Sequence, residues 1–274
     1  MKLQSKQVAV ITGAASGIGF ALAEALCVRG LAVVLTDVEA VALESARARL
    51  DACGFVVQAH VCDVADAAAL DALAQTVLVR FGRVDMLVNN AGVGGRLGPL
   101  CDSQPGDWMW SFGVNVFGVV NGLRSFLPHM LRQTSGHVVN VSSLAGLTAP
   151  PFLGPYVASK HAVVGLSESL AAELAIAGSA LRVSVVCPGH VRSRIAQSER
   201  NRPAAFTAPS KTPPEVLARI QAGFERALAE PMAADDLRGP RACRHGERRL
   251  PNPYASRPQR PGSRAPGIGR TRDA

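Results

Sequence analysis

Short β-branched apolar runs alternate along the chain with longer amphipathic stretches, beginning with Val8-Ala9-Val10-Ile11 and a helical pattern over 16–29 that Gly30 can end. The same alternation predicts further strands at 32–36, 55–60, 86–89, 137–142 and 182–187. Helical patterns fall between and after them at 40–53, 67–81, 107–132, 153–177 and 214–229. Six short apolar strands with intervening helices predict an α/β fold built on a doubly wound parallel sheet, with helices on both faces. Ligands on such sheets sit outside the carboxyl ends of the strands. The polar residues collect there, since Thr12, Asp37, Asp63, Asn89, Asn90, Ser142, Ser143 and Pro188-Gly189 all follow strands.

Composition narrows the picture without changing it. A chain of 274 residues with 48% hydrophobic content can bury one large core. Residues 1–7 carry no apolar run behind a basic start, and no segment has eighteen uninterrupted apolar residues, so a soluble cytoplasmic protein without membrane contact is expected. The six cysteines (27, 53, 62, 101, 187, 243) show neither a C-x-x-C pair nor histidines at ligand spacing. They read as reduced, mostly core residues, and no metal site is expected. The net charge of +8 lies wholly in residues 237–274, where ten arginines face two acids, so residues 1–236 are neutral. This tail has six prolines and five glycines, lacks periodicity, and is expected to be a separate disordered segment.

Thr12-Gly13-Ala14-Ala15-Ser16-Gly17-Ile18-Gly19 follows the first strand and opens the first helix. Glycines there permit a tight turn and close backbone approach, and the helix amino end offers amides to a pyrophosphate. Asp37 ends the second strand 18 residues after Gly19, near the separation expected of an acid that bonds adenosine ribose hydroxyls. Its charge opposes a 2′-phosphate. No basic residue stands at position 16 or directly after Asp37, so NAD is favoured over NADP; the alternative is that Asp37 merely caps the following helix.

Tyr156 and Lys160 stand four apart and share a helix face. Bringing a phenol from about 10 to neutrality takes roughly 4 kcal/mol, the size of the pull from one cation about 4 Å away at an effective dielectric of about 20. Read alone, the pair is more simply a surface tyrosine and lysine at helical spacing by chance. Thr12-Gly13-x-x-x-Gly17-x-Gly19, Asn89-Asn90-Ala91-Gly92, Asn115, Ser143, Tyr156-x-x-x-Lys160 and Pro188-Gly189 together resemble the classical short-chain dehydrogenases/reductases over roughly residues 5–195. The resemblance implies a single-domain Rossmann fold, hydride exchange with nicotinamide, and a catalytic set of Asn115, Ser143, Tyr156 and Lys160. Tyr156 is then the acid and base for a substrate alcohol or ketone, and Lys160 lowers its pKa and holds the nicotinamide ribose. Ser143 bonds the substrate oxygen, and Asn115 holds a water that relays protons. The family spacing of thirteen residues before the tyrosine selects Ser143 over Ser142, which otherwise reads as a strand-end hydroxyl bonding backbone. The resemblance also assigns the cofactor to Gly13, Ser16, Gly17, Ile18, Gly19, Asp37, Asp63, Val64, Asn90, Ala91, Gly92, Tyr156, Lys160, Pro188, Gly189, Val191 and Ser193. Asp63 contacts adenine, and Ser193 replaces a usual threonine on the carboxamide. His161 reads as a packing or surface residue, and Trp108 and Trp110 as packing near a helix start or a subunit contact.

Residues of about 190–230 are expected to form a substrate lid within a domain spanning 1–236. Ile195, Phe206, Val216, Ile220 and Phe224, facing Gly94-Gly95 and residues 144–153, suggest an apolar pocket for a hydrophobic secondary alcohol or ketone. The family implies a homodimer or homotetramer. Nothing after Asp236 reads as the strand that completes the family's sheet, as a shifted reading frame in GC-rich DNA would produce. A basic tail that recruits nucleic acid is the rival account of the same residues, although nucleic acid is not the expected partner. A cofactor-bound sensor or scaffold without turnover is the competing function; sugar-nucleotide epimerisation fits the glycine spacing and chain length less well.

Overall fold

Strands buried on both faces build the centre of this chain. The computed structural model describes residues 6–191 and 193–227. Its strands are β1 (Val8–Thr12), β2 (Ala32–Asp37), β3 (Val57–Val61), β4 (Met86–Asn89), β5 (Gly136–Val141) and β6 (Leu181–Val186). All pair in parallel, in the order β3-β2-β1-β4-β5-β6. Successive strands step outward one way from β1 and then the other way from β4, which leaves a crevice between the loops that follow these two strands. The sixfold sheet and its order agree with the doubly wound architecture expected from the sequence.

The two-residue period of each strand divides the core in two. Val8, Val10, Val34, Leu87 and Val138 face one way, against α3 (Ala67–Phe81), α5 (Gly118–Met130) and α6 (Gly154–Ile176). Ala9, Ile11, Val33, Leu35 and Val88 face the other, against α1 (Gly17–Val28) and α2 (Ala40–Asp51). Phe126 is fully buried, which is worth about 2–3 kcal/mol. Polar residues set the helix ends. Asp66 accepts from the Ala68 and Ala69 amides at 2.9 and 3.2 Å to cap α3, which stops at Gly82 with φ +70°.

Three local expectations need correction. The third strand begins at Val57, two residues later than the apolar run suggested. The helical stretch placed at 107–132 is instead α4 (Pro105–Phe112), a π-helical turn (Gly113–Phe117) and α5. Of the five described cysteines only Cys27 and Cys62 are buried, whereas Cys53 and Cys101 are exposed and Cys187 is half-buried. Among the described residues no helix is long and apolar enough to cross a membrane. The basic segment 237–274 and its expected disorder lie outside the described residues, as does Cys243.

Candidate active site

The crevice is held together by its own two loops. After β1 the chain turns at Gly13 with φ +63°, where a Cβ would stand 2.8 Å from Ala91 Cα. Thr12 Oγ1 accepts from the amides of Asn90 and Ala91, both at 2.9 Å, and Asn90 Nδ2 donates to the carbonyls of Thr12 and Gly13 at 2.8 and 3.0 Å. Gly19 has no room for a side chain, because Gly13 O and Asn90 Nδ2 fill that space. Gly17 and Ile18 form the first turn of α1, with Gly17 at φ +57° and Ser193 Cβ 3.1 Å from where its Cβ would lie. Ser16 occupies the N-cap position without spending its hydroxyl on the helix amides.

Asp37 stands half-buried at the tip of β2. Its Oδ2 accepts from Ala15 N and its Oδ1 from Glu39 N, each at 3.1 Å. The helix-cap alternative does not describe it, since the N-cap of α2 is Glu39. A carboxylate offers about four acceptor sites, so two bonds to backbone leave capacity for hydroxyl donors. Asp63 is exposed after β3 and accepts from Ala65 N at 2.9 Å, while Val64 is buried with its carbonyl accepting from Asn121 Nδ2 at 3.0 Å.

Across the crevice, Ser143 follows β5 and Tyr156 and Lys160 lie in the first turns of α6. Ser143 Oγ accepts from Ala145 N at 3.1 Å, and its hydroxyl acts to lower the pKa of the Tyr156 phenol. Ser142 instead donates to the Lys160 carbonyl at 2.8 Å, the strand-end role foreseen for it. Lys160 is 2% exposed; Nζ donates to Val141 O at 3.1 Å and stands 5.7 Å from the centre of the Tyr156 ring. A Cβ on Gly92 would come within 3.2 Å of that Nζ. The sequence led us to expect a phenol lowered by Lys160. In the structure burial raises the Tyr156 pKa, and burial also lowers Lys160 to about 8. Both shifts disfavour charge. Ser143 opposes burial at the phenol, and Cys187 opposes it at the ammonium.

Asn115 sits in the π-helical turn and is 1% exposed, so it is no surface helix residue. Its Oδ1 accepts from Val93 N at 2.8 Å, and Nδ2 donates to Val93 O and Ser159 Oγ at 3.0 and 2.9 Å. Ser159 in turn donates to Tyr156 O at 2.7 Å. The carboxamide therefore braces the β4 loop against α6. Ser159 was not singled out from the sequence; its placement one residue before Lys160 was the available signal.

After β6, Pro188 is buried with its carbonyl accepting from Leu144 N at 2.7 Å, and Gly189, Val191 and Ser193 lead into the segment expected to be a lid. That segment comprises two 3-10 turns (Ile195–Asn201 and Ala204–Phe206) and α7 (Pro214–Ala227). Ser198 Oγ accepts from Gly94 N at 2.9 Å. Arg202 pairs with Asp107 at 2.7 Å, both side chains nearly fully buried, and covers the Trp110 ring at 4.6 Å. Asp102 accepts from Ser210 Oγ, Thr212 Oγ1 and Lys211 N at 2.5, 2.7 and 2.9 Å, and these bonds hold its carboxyl well below the usual carboxylate range. Leu144, Leu147, Phe152 and Ile195 remain exposed, and Phe152 adopts φ +66°, a strained conformation for a bulky residue. His161 is exposed with Nδ1 3.0 Å from Val157 O, and Trp108 donates to Ser103 Oγ at 3.0 Å. Neither faces this cluster's proton-bearing groups by any recorded bond. Among the described residues no three His, Cys, Asp or Glu side chains assemble into a metal-binding group.

The family model described as short chain dehydrogenase matches residues 7–204. A C alpha-dehydrogenase of Sphingobium sp. is 38% identical over 207 residues, which are 75% of this chain and 67% of that protein. The crystal structure of a short chain dehydrogenase/reductase from Burkholderia phymatum in complex with NAD is similar at 42% identity and a TM-score of 0.82, over 87% of this chain and 85% of that one. A metagenomic short-chain oxidoreductase in complex with NADP is similar at 41% identity and a TM-score of 0.64, over 67% and 82% of the two chains.

Proposed function

The chain belongs to the short-chain dehydrogenase family of oxidoreductases, and from that premise we propose that it is an NAD-dependent enzyme interconverting a hydrophobic secondary alcohol and its ketone. The observation that carries the reading is the buried Lys160 with its Nζ 5.7 Å from the centre of the Tyr156 ring, beside Ser143 at the carboxyl end of β5 and across the crevice from the glycine loop. The residues fit a dinucleotide. Gly13, Ser16, Gly17, Ile18 and Gly19 present the amino end of α1 to a pyrophosphate, and Asp37 keeps acceptor capacity for ribose hydroxyls. Asp63 and Val64 would flank the adenine; Asn90, Ala91 and Gly92 would line the ribose side. Pro188, Gly189, Val191 and Ser193 would hold the carboxamide end. Bound nicotinamide supplies the hydride acceptor or donor.

The chain's own residues manage the proton. Tyr156 takes it from the substrate hydroxyl or returns it to the forming alkoxide. Ser143 donates to the substrate oxygen without ionising, which stabilises charge developing there. Lys160 opposes the burial that keeps the phenol protonated, and Asn115 fixes the distance between the β4 loop and α6 along which a water relay would run. The exposed apolar side chains Leu144, Leu147, Phe152 and Ile195 support a hydrophobic substrate. Met109 and Phe117, exposed on α4 and the π-helical turn, offer apolar surface to a second copy in a homodimer or homotetramer. Tyr156→Phe should lower turnover by at least about 10²-fold while leaving NADH affinity nearly unchanged. Undiminished turnover in that variant, measured on a panel of alcohols and ketones with NAD and NADP, would remove the proposed mechanism.

A further inference from the structure

Two arginines that the sequence places far from Asp37 are brought to its neighbourhood by the lid. Arg194 Nη1 lies 3.2 Å from Glu39 Oε2, Arg200 Nη2 pairs with Glu39 Oε1, and Asn201 Nδ2 donates to Glu39 Oε1 at 3.0 Å. Glu39 is two residues beyond Asp37, and its amide donates to the Asp37 carboxylate at 3.1 Å. At the other end of the same lid stretch, Ser193 rests on Gly17 of the glycine loop. Residues 193–201 thus run from the proposed pyrophosphate cradle to the proposed ribose acid.

The arginines are oriented as well as close. Arg200 Nη1 donates to the carbonyls of Arg194 and Gln197 at 3.2 and 2.8 Å, which fixes the guanidinium while its other nitrogen meets Glu39. Glu39 is the N-cap residue of α2 but makes no side-chain cap bond, so its carboxylate is committed to the lid and not to its own helix. With Asp37 and Glu39 against Arg194 and Arg200, the tip of β2 is electrically balanced. Without Glu39 it would carry a net positive charge and two donors of the kind that bind phosphate.

We infer that Glu39 is a cofactor-specificity residue: it occupies two lid arginines that would otherwise serve a 2′-phosphate, and so reinforces the exclusion that Asp37 begins. The inference rests on the reading of Asp37 as the ribose acid. Calorimetric titration of the purified full chain with 5′-AMP and with 2′,5′-ADP isolates the adenosine end and needs no turnover. Glu39→Gln should raise affinity for 2′,5′-ADP relative to 5′-AMP by roughly tenfold, and the gain should fade with salt. Adding R194Q and R200Q to that variant should abolish the gain. R194Q/R200Q in the unaltered background changes two exposed side chains and should move the ratio the opposite way, because Glu39 is then left unpaired. A change in both affinities by one common factor, or a gain that survives loss of the arginines, overturns the inference and leaves Glu39 as an anchor of the lid. The ratio in the unsubstituted chain tests Asp37 separately: preference for 2′,5′-ADP there would defeat the NAD reading whether or not Glu39→Gln shifts it.

Discussion

Lys160 shows how a single residue is held against its own preference. Its ammonium is buried with Val141 O as its recorded hydrogen-bond partner, and burial brings its pKa from 10.5 down to about 8. A group that binds its proton less well in the folded than in the unfolded chain makes stability rise with pH between the two values. The penalty is therefore full below pH 8, shrinks across 8 to 10.5, and is absent above. Lys160→Met should stabilise the chain at pH 7 by up to about 3 kcal/mol in urea unfolding, the advantage vanishing towards pH 10.5, while turnover collapses. A stability difference that does not change with pH would show that the lysine is comfortably solvated. Helical spacing made the Tyr156 and Lys160 pair a candidate, and Ser143, Asn115 and the glycine loop made it legible. The sign of the phenol's shift was not legible, since desolvation depends on what α6 packs against.

Among the elements, the segment proposed as a lid is held by charged and polar contacts. Arg202 bridges Asp107 at 2.7 Å and stacks on Trp110, and breaking one partner of such a buried pair costs about 3–5 kcal/mol. Arg202→Ala should speed hydrogen exchange of lid amides at 195–206 by at least about 100-fold while β1 amides keep their rates. Equal acceleration in both would mean that lid and sheet open together. The helix periods of α3 and α6 could be read within a residue or two, because apolar spacing determines them. The π-helical turn escaped notice: Asn115 is held there by Val93 and by Ser159, 44 residues away, and helical periodicity carries no trace of such partners. The pairing of Glu39 with Arg200, 161 residues apart, was hidden for the same reason, since no spacing along the chain near Asp37 announces it.

At the scale of the whole molecule, stability and the proposed chemistry occupy opposite ends of the strands of one sheet. Asp85, just before β4, is 0% exposed and accepts from Val8 N at 2.9 Å and from Arg83 Nε and Nη2 at 2.8 and 2.5 Å. Asp85→Ala leaves the Val8 amide buried without its partner and should cost about 3 kcal/mol in urea unfolding, with cofactor affinity unchanged. A matching loss of cofactor affinity would contradict that separation. The six strands and their parallel, doubly wound sheet were legible from alternating apolar runs, whereas the strand order and the bonds between the loops after β1 and β4 required the assembled sheet. Those bonds join residues 78 apart in sequence, Thr12 to Asn90. A growing chain can pair its first three strands before the fourth exists, yet its glycine loop then leans only on β2, through Ala14 N to Thr36 O and Ala15 N to Asp37 Oδ2, both at 3.1 Å. The proposed nucleotide cradle is thus completed only when β4 docks, and a dinucleotide bound there would reward that step, pulling its equilibrium forward by mass action.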